Sequence, residues 1–343
     1  MTTHRRRLRA LGIVLSTALL TSLAACGSPG EAPADSKTIR IAYQKFPSGD
    51  LIVKNQGLLE KALPGYTIEW KSFDSGASIN TAFIAKAVDV AAIGSSPVAR
   101  GLSEPLNLPY KVAFILDVAG DNEALVVTNT SGVTSVAGLK GKKVATSFSS
   151  TAHYSLLAAL KQAGVSGSDV TLVDLEPQDI LAAWKRGDID AAYTWLPTLD
   201  ELRKTGKTLI ASKDLATSGK PTLDLGVVAS DFIDAHPDAV QAWRQAQAEA
   251  LTVIKDQPEQ ASRAVASELG LTPADAAAQL QQGVYLTPNE LSSPTWLGTE
   301  ASVGKAATYL HDAAVFLAEQ KQIPAAPDKQ VFDSAIYRDG LPL

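Results

Sequence analysis

Seven short runs between residues 39 and 116 decide the fold: IRIAY (39–43), GLLEKAL (57–63), YTIEWKSF (66–73), SINTAFIAKA (78–87), VDVAAIG (88–94), PVARGLS (97–103) and KVAFIL (111–116). Runs rich in Ile, Val and aromatic residues read as strands, and those between them carry apolar residues at helical spacing. Strand, helix, strand repeated in this way predicts an α/β domain, a mostly parallel sheet with helices on both faces.

Working outward, EALVVT (123–128) adds a strand and the pattern restarts with KKVAT (142–146), a helix over 152–162, VTLVDL (170–175), a helix around 180–185, DIDAAYTW (188–195) and KTLIAS (207–212). Two such sets predict two lobes with a cleft between them, and open α/β sheets bind ligands beyond the carboxyl ends of their strands. After LDLGVVA (223–229) helical patterns dominate, over 236–255, 259–269, 274–282 and 300–320, with Pro237, Pro258 and Pro273 near their starts. A proline there is harmless because the first helical N–H has no intrahelical acceptor.

The chain has 343 residues, 45% apolar and 20% charged. That length suits about two globular units, and the composition excludes disorder, collagen and coiled coil. The net charge is −5, but Arg5, Arg6, Arg7 and Arg9 crowd the first ten positions; without them 27 basic residues face 36 acidic ones, a net −9. So acidic a body lacks the Lys/Arg footprint of a phosphate-backbone binder, and nucleic acid is excluded as a partner.

Those arginines open a leader. A basic start, the apolar run LGIVLSTALL (11–20) and the small residues that follow have the order of a secretory signal over 1–25, and the run is shorter than the ~20 residues a spanning helix needs. The leader ends LAAC (23–26), which resembles the lipobox of bacterial lipoproteins, so Cys26 is expected to carry a lipid. As the single cysteine it has no intrachain partner. GSPGEAPADS (27–36) reads as a flexible tether, giving an anchor-and-tether segment over 26–37 on the outer face of the cytoplasmic membrane. The arginine run leaves the export route open between general secretion and the twin-arginine pathway.

Three turns place hydroxyls and glycine between a strand end and a helix start: SFDSGAS (72–78), GSSP (94–97) and SFSST (147–151). The first amides of a helix lack acceptors and lie at the positive end of its dipole, so converging turns of this kind would hold an oxyanion. Taken singly, each turn is equally explained as a helix cap. Glu123 and Asp224 stand at or within apolar strands, where a carboxylate is costly unless paired, by a ligand ammonium or by an internal ion pair. Trp195 and Tyr43 are candidates for a cation-π wall. No G-x-S-x-G, Walker, H-E-x-x-H or G-x-G-x-x-G motif occurs, and His4, His153, His236 and His311 are isolated, so no cofactor, metal site or triad is expected.

FDSGASI (73–79), GSSPVA (94–99), EALVV (123–127), STAHYSLLAALK (150–161), AAWKRGDIDAAYTW (182–195), PTLDLGVV (221–228) and VYLTP (284–288) occur in the order, and closely in the wording, of one family. Over 39–287 the chain resembles the periplasmic taurine-binding proteins of ABC transporters, within the sulfonate, nitrate and taurine solute-binding family. The resemblance implies a type II periplasmic-binding-protein fold: two α/β lobes joined by a two-strand hinge, with a helical C-terminal segment. Lobe 1 would comprise 38–128 and 225–343 and lobe 2 129–224, with crossings near Thr128 and Asp224. It also implies a monomer that catalyses no reaction, closes on taurine or a similar small sulfonate and delivers it to a permease driven by a separate ATPase. Carried over residue by residue, the anion would meet Ser75, Gly76, Ser78, Ser95, Ser96, Ser150 and Thr151. The ammonium would meet Asp224, with Glu123 second, and Gln44 and Trp195 would complete the wall. Asp74 is expected to shape its loop. The competing readings are a receptor for alkanesulfonates, nitrate or a thiamine precursor, an enzyme on the same bilobal fold using His153 or Asp74, and a structural envelope lipoprotein.

Overall fold

The structure is a computed structural model that describes residues 37–342. The signal segment over 1–25, Cys26 and all of the tether but Lys37 lie outside the described residues. Among those described, no helix is long and apolar enough to cross a membrane.

Ten strands form two five-stranded sheets. The first contains β1 (Thr38–Gln44), β2 (Thr67–Phe73), β3 (Val90–Gly94), β4 (Tyr110–Val118) and β10 (Leu223–Ala229) in the order β2-β1-β3-β10-β4. The second contains β5 (Glu123–Thr128), β6 (Lys143–Thr146), β7 (Thr171–Asp174), β8 (Ala191–Trp195) and β9 (Gly206–Ala211) in the order β7-β6-β8-β5-β9. β1 runs parallel to β2 and β3, and β6 parallel to β7 and β8. Each sheet is nevertheless mixed, because β10 is antiparallel to β3 and β4, and β5 to β8 and β9. Both exceptions enter their lobe from the other one, across the cleft at the carboxyl ends of the parallel strands, and so run the opposite way.

The first crossing corrects the boundary expected near Thr128. β5 pairs wholly within the second sheet, so the chain changes lobe over residues 119–122, and it returns over 219–222 just before β10. The reason is local: a four-residue connection containing Gly120, Asp121 and Asn122 has the composition of a hairpin turn, and composition does not tell a strand that folds back from one that crosses over. The hinge also holds a third segment. Val118 and Val284 exchange backbone hydrogen bonds, and the Gln282 carbonyl accepts from Asp121 at 2.9 Å and Asn122 at 3.3 Å.

The C-terminal helices clothe lobe 1. Helix Pro237–Asp256 buries Ala239, Val240, Trp243, Ala246, Ala250, Leu251 and Val253, an i, i+3, i+4 stripe. Trp243 enters a slot that only a glycine leaves open: a Cβ on Gly226 in the middle of β10 would stand 2.3 Å from the indole Cη2. The expected helix over 300–320 begins only at Ala306, because Gly298–Thr299 and Ser302–Val303 form a small hairpin before it. That last long helix, Ala306–Glu319, also reaches lobe 2: Phe316 meets Tyr154 edge to face at 4.9 Å, and Lys161 pairs with Glu319 at 2.6 Å.

Candidate functional site

The three hydroxyl-bearing turns end at the starts of helices Gly76–Ile84, Ser95–Gly101 and Thr151–Gln162, the first two on lobe 1 and the third on lobe 2. All three meet at one cleft between the carboxyl ends of the sheets, lined by Gly76, Gly94, Pro97, Ser150 and Thr151. The opening amides of each helix have no intrahelical acceptor and lie at its positive end. No lysine, arginine or histidine is among the residues that line this cleft. The lobes approach closely: a Cβ on Gly94 of lobe 1 would stand 2.6 Å from Thr151 Cγ2 of lobe 2.

The same cleft is also lined by the acidic Glu123 and Asp224, with Asn122 and Ala119 of the crossing. Glu123 is 3% exposed and accepts from the hydroxyls of Thr151 (2.5 Å), Ser212 (2.6 Å), Ser155 (3.2 Å) and Thr222 (3.3 Å). Burial raises its pKa and these four donors oppose the rise. Asp224 lies opposite Asp117 across the β10–β4 ladder. Burial raises both carboxyls; the charges of Asp224 and Glu123 raise Asp117 further, while Glu123 raises Asp224 and a hydrogen bond with Asp117 opposes that rise. None of the three pairs with a cationic side chain among the described residues. The cleft thus brings helix N-termini together with carboxyls that have no counter-ion: Asp224 lies opposite Gly94 in the β3–β10 ladder, and Glu123 is bonded to Thr151.

Of the residues singled out from sequence, Gln44, Gly76, Glu123, Ser150, Thr151, Trp195 and Asp224 line this cleft together. Gln44 is held by a bond from Nε2 to the Ala92 carbonyl (3.2 Å), and Trp195 stands opposite Glu123 in the β5–β8 ladder. Ser75, Ser78, Ser95 and Ser96 do not line it. Ser75 donates to Glu176 at 2.8 Å, Ser78 donates to the Ser75 carbonyl at 2.7 Å, and Ser95 accepts from the Leu223 amide at 3.1 Å. Ser96 is buried with no partner for its hydroxyl. In short turns hydroxyls bond to nearby backbone and side-chain groups, as Ser75, Ser78 and Ser95 do here. Tyr43 is turned away, edge-on to Trp70 at 6.0 Å with Lys54 over its ring. His153 is 2% exposed, stacked on Phe148 at 4.5 Å, and accepts from the Ser149 amide through Nδ1; burial lowers its pKa to about 4. Asp74 lines an adjoining hollow with Lys45, Glu176 and Asp179.

Three site features escaped sequence reading. Asp117 carries the signal that singled out Asp224, a carboxylate within an apolar strand. Asn122 contributes from the first crossing, held by the Gly120 amide, which donates to its Oδ1 at 2.6 Å. Glu176 ties the lobes together, accepting from Ser75 of lobe 1 and from Ser147 of lobe 2 at 2.7 Å, while Arg100 of lobe 1 donates to Ser149 of lobe 2 at 3.0 Å. Nothing local in the sequence distinguishes Glu176 from other surface carboxylates.

Residues 37–281 match the family described as the substrate-binding domain of ABC-type glycine betaine transport systems. The chain is 37% identical over 303 residues to the taurine-binding periplasmic protein of Escherichia coli, covering 85% of this chain and 89% of that one. It is 30% identical over 235 residues to a putative aliphatic sulfonates-binding protein of Bacillus subtilis, covering 67% and 69%. Among solved structures, the periplasmic aliphatic sulphonate binding protein SsuA from Escherichia coli superposes with a TM-score of 0.71 at 24% identity, covering 88% of this chain and 92% of that one. The desulfurization enzyme DSZB shares the fold, at a TM-score of 0.62 and 17% identity. A profile match over most of the body, a relative at this identity and a two-lobed structure with its cleft at the crossings agree: the chain belongs to the family of substrate-binding proteins of ABC-type import systems.

Proposed function

We propose that this protein is the exported receptor of an ABC importer that captures taurine or a similar small aminosulfonate and hands it to a membrane permease driven by a separate ATPase. The observation that carries the reading is that one cleft brings helix N-termini together with carboxyls that have no counter-ion. A sulfonate accepts several hydrogen bonds and stays ionised near neutral pH, which suits the helix N-termini. An ammonium supplies the counter-charge that Asp224 and Glu123 lack, and charge-assisted bonds to both groups of the ligand favour it over a sulfonate without an amine. Relatives with taurine and sulfonates in their names support the same reading. The chain acts by closing around its ligand, as a monomer without cofactor, and Cys26 anchors it by a lipid to the outer face of the cytoplasmic membrane.

Calorimetric titration with taurine, ethanesulfonate, sulfate and nitrate tests the reading. Taurine is expected to bind at least tenfold more tightly than ethanesulfonate. Asp224→Asn is expected to weaken taurine at least tenfold and to spare ethanesulfonate; equal loss for both ligands refutes the aminosulfonate assignment. Replacing Cys26 by alanine is expected to move the protein from the membrane to the soluble fraction.

A further inference from the structure

Asp117 and Asp224 face each other across neighbouring antiparallel strands, and directly opposed residues in such a ladder project from the same face of the sheet. Asp117 is fully buried, and as a carboxylate its Oδ1 has no donor. Its Oδ2 has only the Asn122 amide, at 3.5 Å. A single proton between the two carboxyls supplies the missing donor, as like charges sharing a dry site require.

The elements packed around the pair add no positive charge to it. Glu123 brings another negative group from β5, and burial holds the Tyr285 phenol uncharged while its hydroxyl donates to the Pro47 carbonyl at 3.1 Å. On helix Pro237–Asp256, Arg244 points to the Asp339 carbonyl (2.6 Å) and lies over the Tyr337 ring. Arg203 points to the Asp121 carbonyl and Gln282, Lys220 lies over Phe316, and Lys213 pairs with Asp121. Arg100, on the helix that follows β3, donates to Ser149.

We propose that Asp117 is a positioning residue acting through Asp224: the pair holds one proton while no cation is present and releases it to solvent when a ligand ammonium enters, so the cleft exchanges a proton for the ligand's charge. The proposal rests on the aminosulfonate reading. The ammonium then replaces the proton's charge beside the two carboxyls, and an uncharged-tail sulfonate, which brings no cation, leaves the proton where it is. Affinity for an ammonium ligand therefore rises with pH wherever the empty pair is protonated, by up to tenfold per pH unit for one proton released.

Calorimetry with taurine at pH 7, in buffers of widely different ionisation enthalpy, counts the protons exchanged. Between half a proton and one is expected to be released with the unmodified protein, and about none with ethanesulfonate. Asp117→Asn, whose amide donates permanently to Asp224, is expected to bind taurine with no proton release and a flat affinity between pH 6 and pH 8. Binding of taurine without proton release overturns the exchange, and equal release in Asp117→Asn overturns the role of Asp117, each leaving the aminosulfonate reading intact. Failure of taurine to bind at all overturns both. The pH dependence of the unmodified protein decides the matter without any variant: a taurine affinity constant over the same range refutes the proposal.

Discussion

Gly94 is the residue through which closure of the lobes can be probed most directly. Its backbone has φ of −67°, which alanine adopts freely, so Gly94→Ala changes space and little else. The added Cβ would stand 2.6 Å from Thr151 Cγ2, about 0.8 Å inside the 3.4 Å at which ordinary contact begins. Thr151 cannot turn aside without breaking the 2.5 Å bond that its hydroxyl donates to Glu123. Either the lobes stand apart or Glu123 loses a donor, and each costs about 1–3 kcal/mol. Because the clash exists only between lobes, the cost falls on the closed, ligand-holding state, and binding is expected to weaken roughly 5- to 150-fold. Calorimetry measures this loss, while thermal unfolding without ligand is expected to change little. Thr151→Ser in the same background removes Cγ2 and keeps the hydroxyl, so it is expected to restore most of the affinity. Unchanged binding by Gly94→Ala, or no recovery in the double variant, refutes the argument.

Two further perturbations test other parts of the molecule. Glu176→Ala removes the acceptor that Ser75 and Ser147 share across the cleft; with about 0.5–1.5 kcal/mol per bond, ligand release measured by stopped flow is expected to quicken several-fold, and an unchanged off-rate counts against the interlobe tie. Asp50 is buried between helix Gly49–Gln56 and helix Pro237–Asp256 with one bond, from Gln247 at 2.6 Å, and burial raises its pKa to about 7. The folded chain thus keeps a proton that the unfolded chain gives up near pH 4. Asp50 therefore lowers stability progressively as pH rises from about 4 through about 7, by up to about 4 kcal/mol. Denaturant melts of Asp50→Asn are expected to match wild type at pH 4 and exceed it at pH 8, and a constant difference at all pH values is the refuting result.

Much of the architecture lies in local pattern. Apolar runs such as IRIAY and VDVAAIG form β1 and β3 because alternation of short strands and amphipathic helices leaves few other ways to bury apolar surface. Prolines 237, 258 and 273 mark helix starts because the missing amide hydrogen costs nothing there. The three hydroxyl-rich turns and the acidic residues of apolar strands were equally legible, since each is an unusual residue type at a position whose local geometry is known.

What local pattern could not decide were relations between distant segments. Whether residues 119–122 turn back or cross over depends on the partner that β5 finds in β8 and β9, more than sixty residues later in the chain. Asp117 gains its meaning only from the register that sets it against Asp224, and Glu176 only from closure of one lobe on Ser75 of the other. The serine hydroxyls of the first two turns stood out in sequence, yet in the fold Ser75, Ser78 and Ser95 bond to neighbouring groups and, like Ser96, do not line the cleft. Sequence determined the elements and the chemical types at their ends; tertiary structure decided which ends meet, because sheet order, crossing and lobe closure are set by the burial of surfaces that no single segment carries alone.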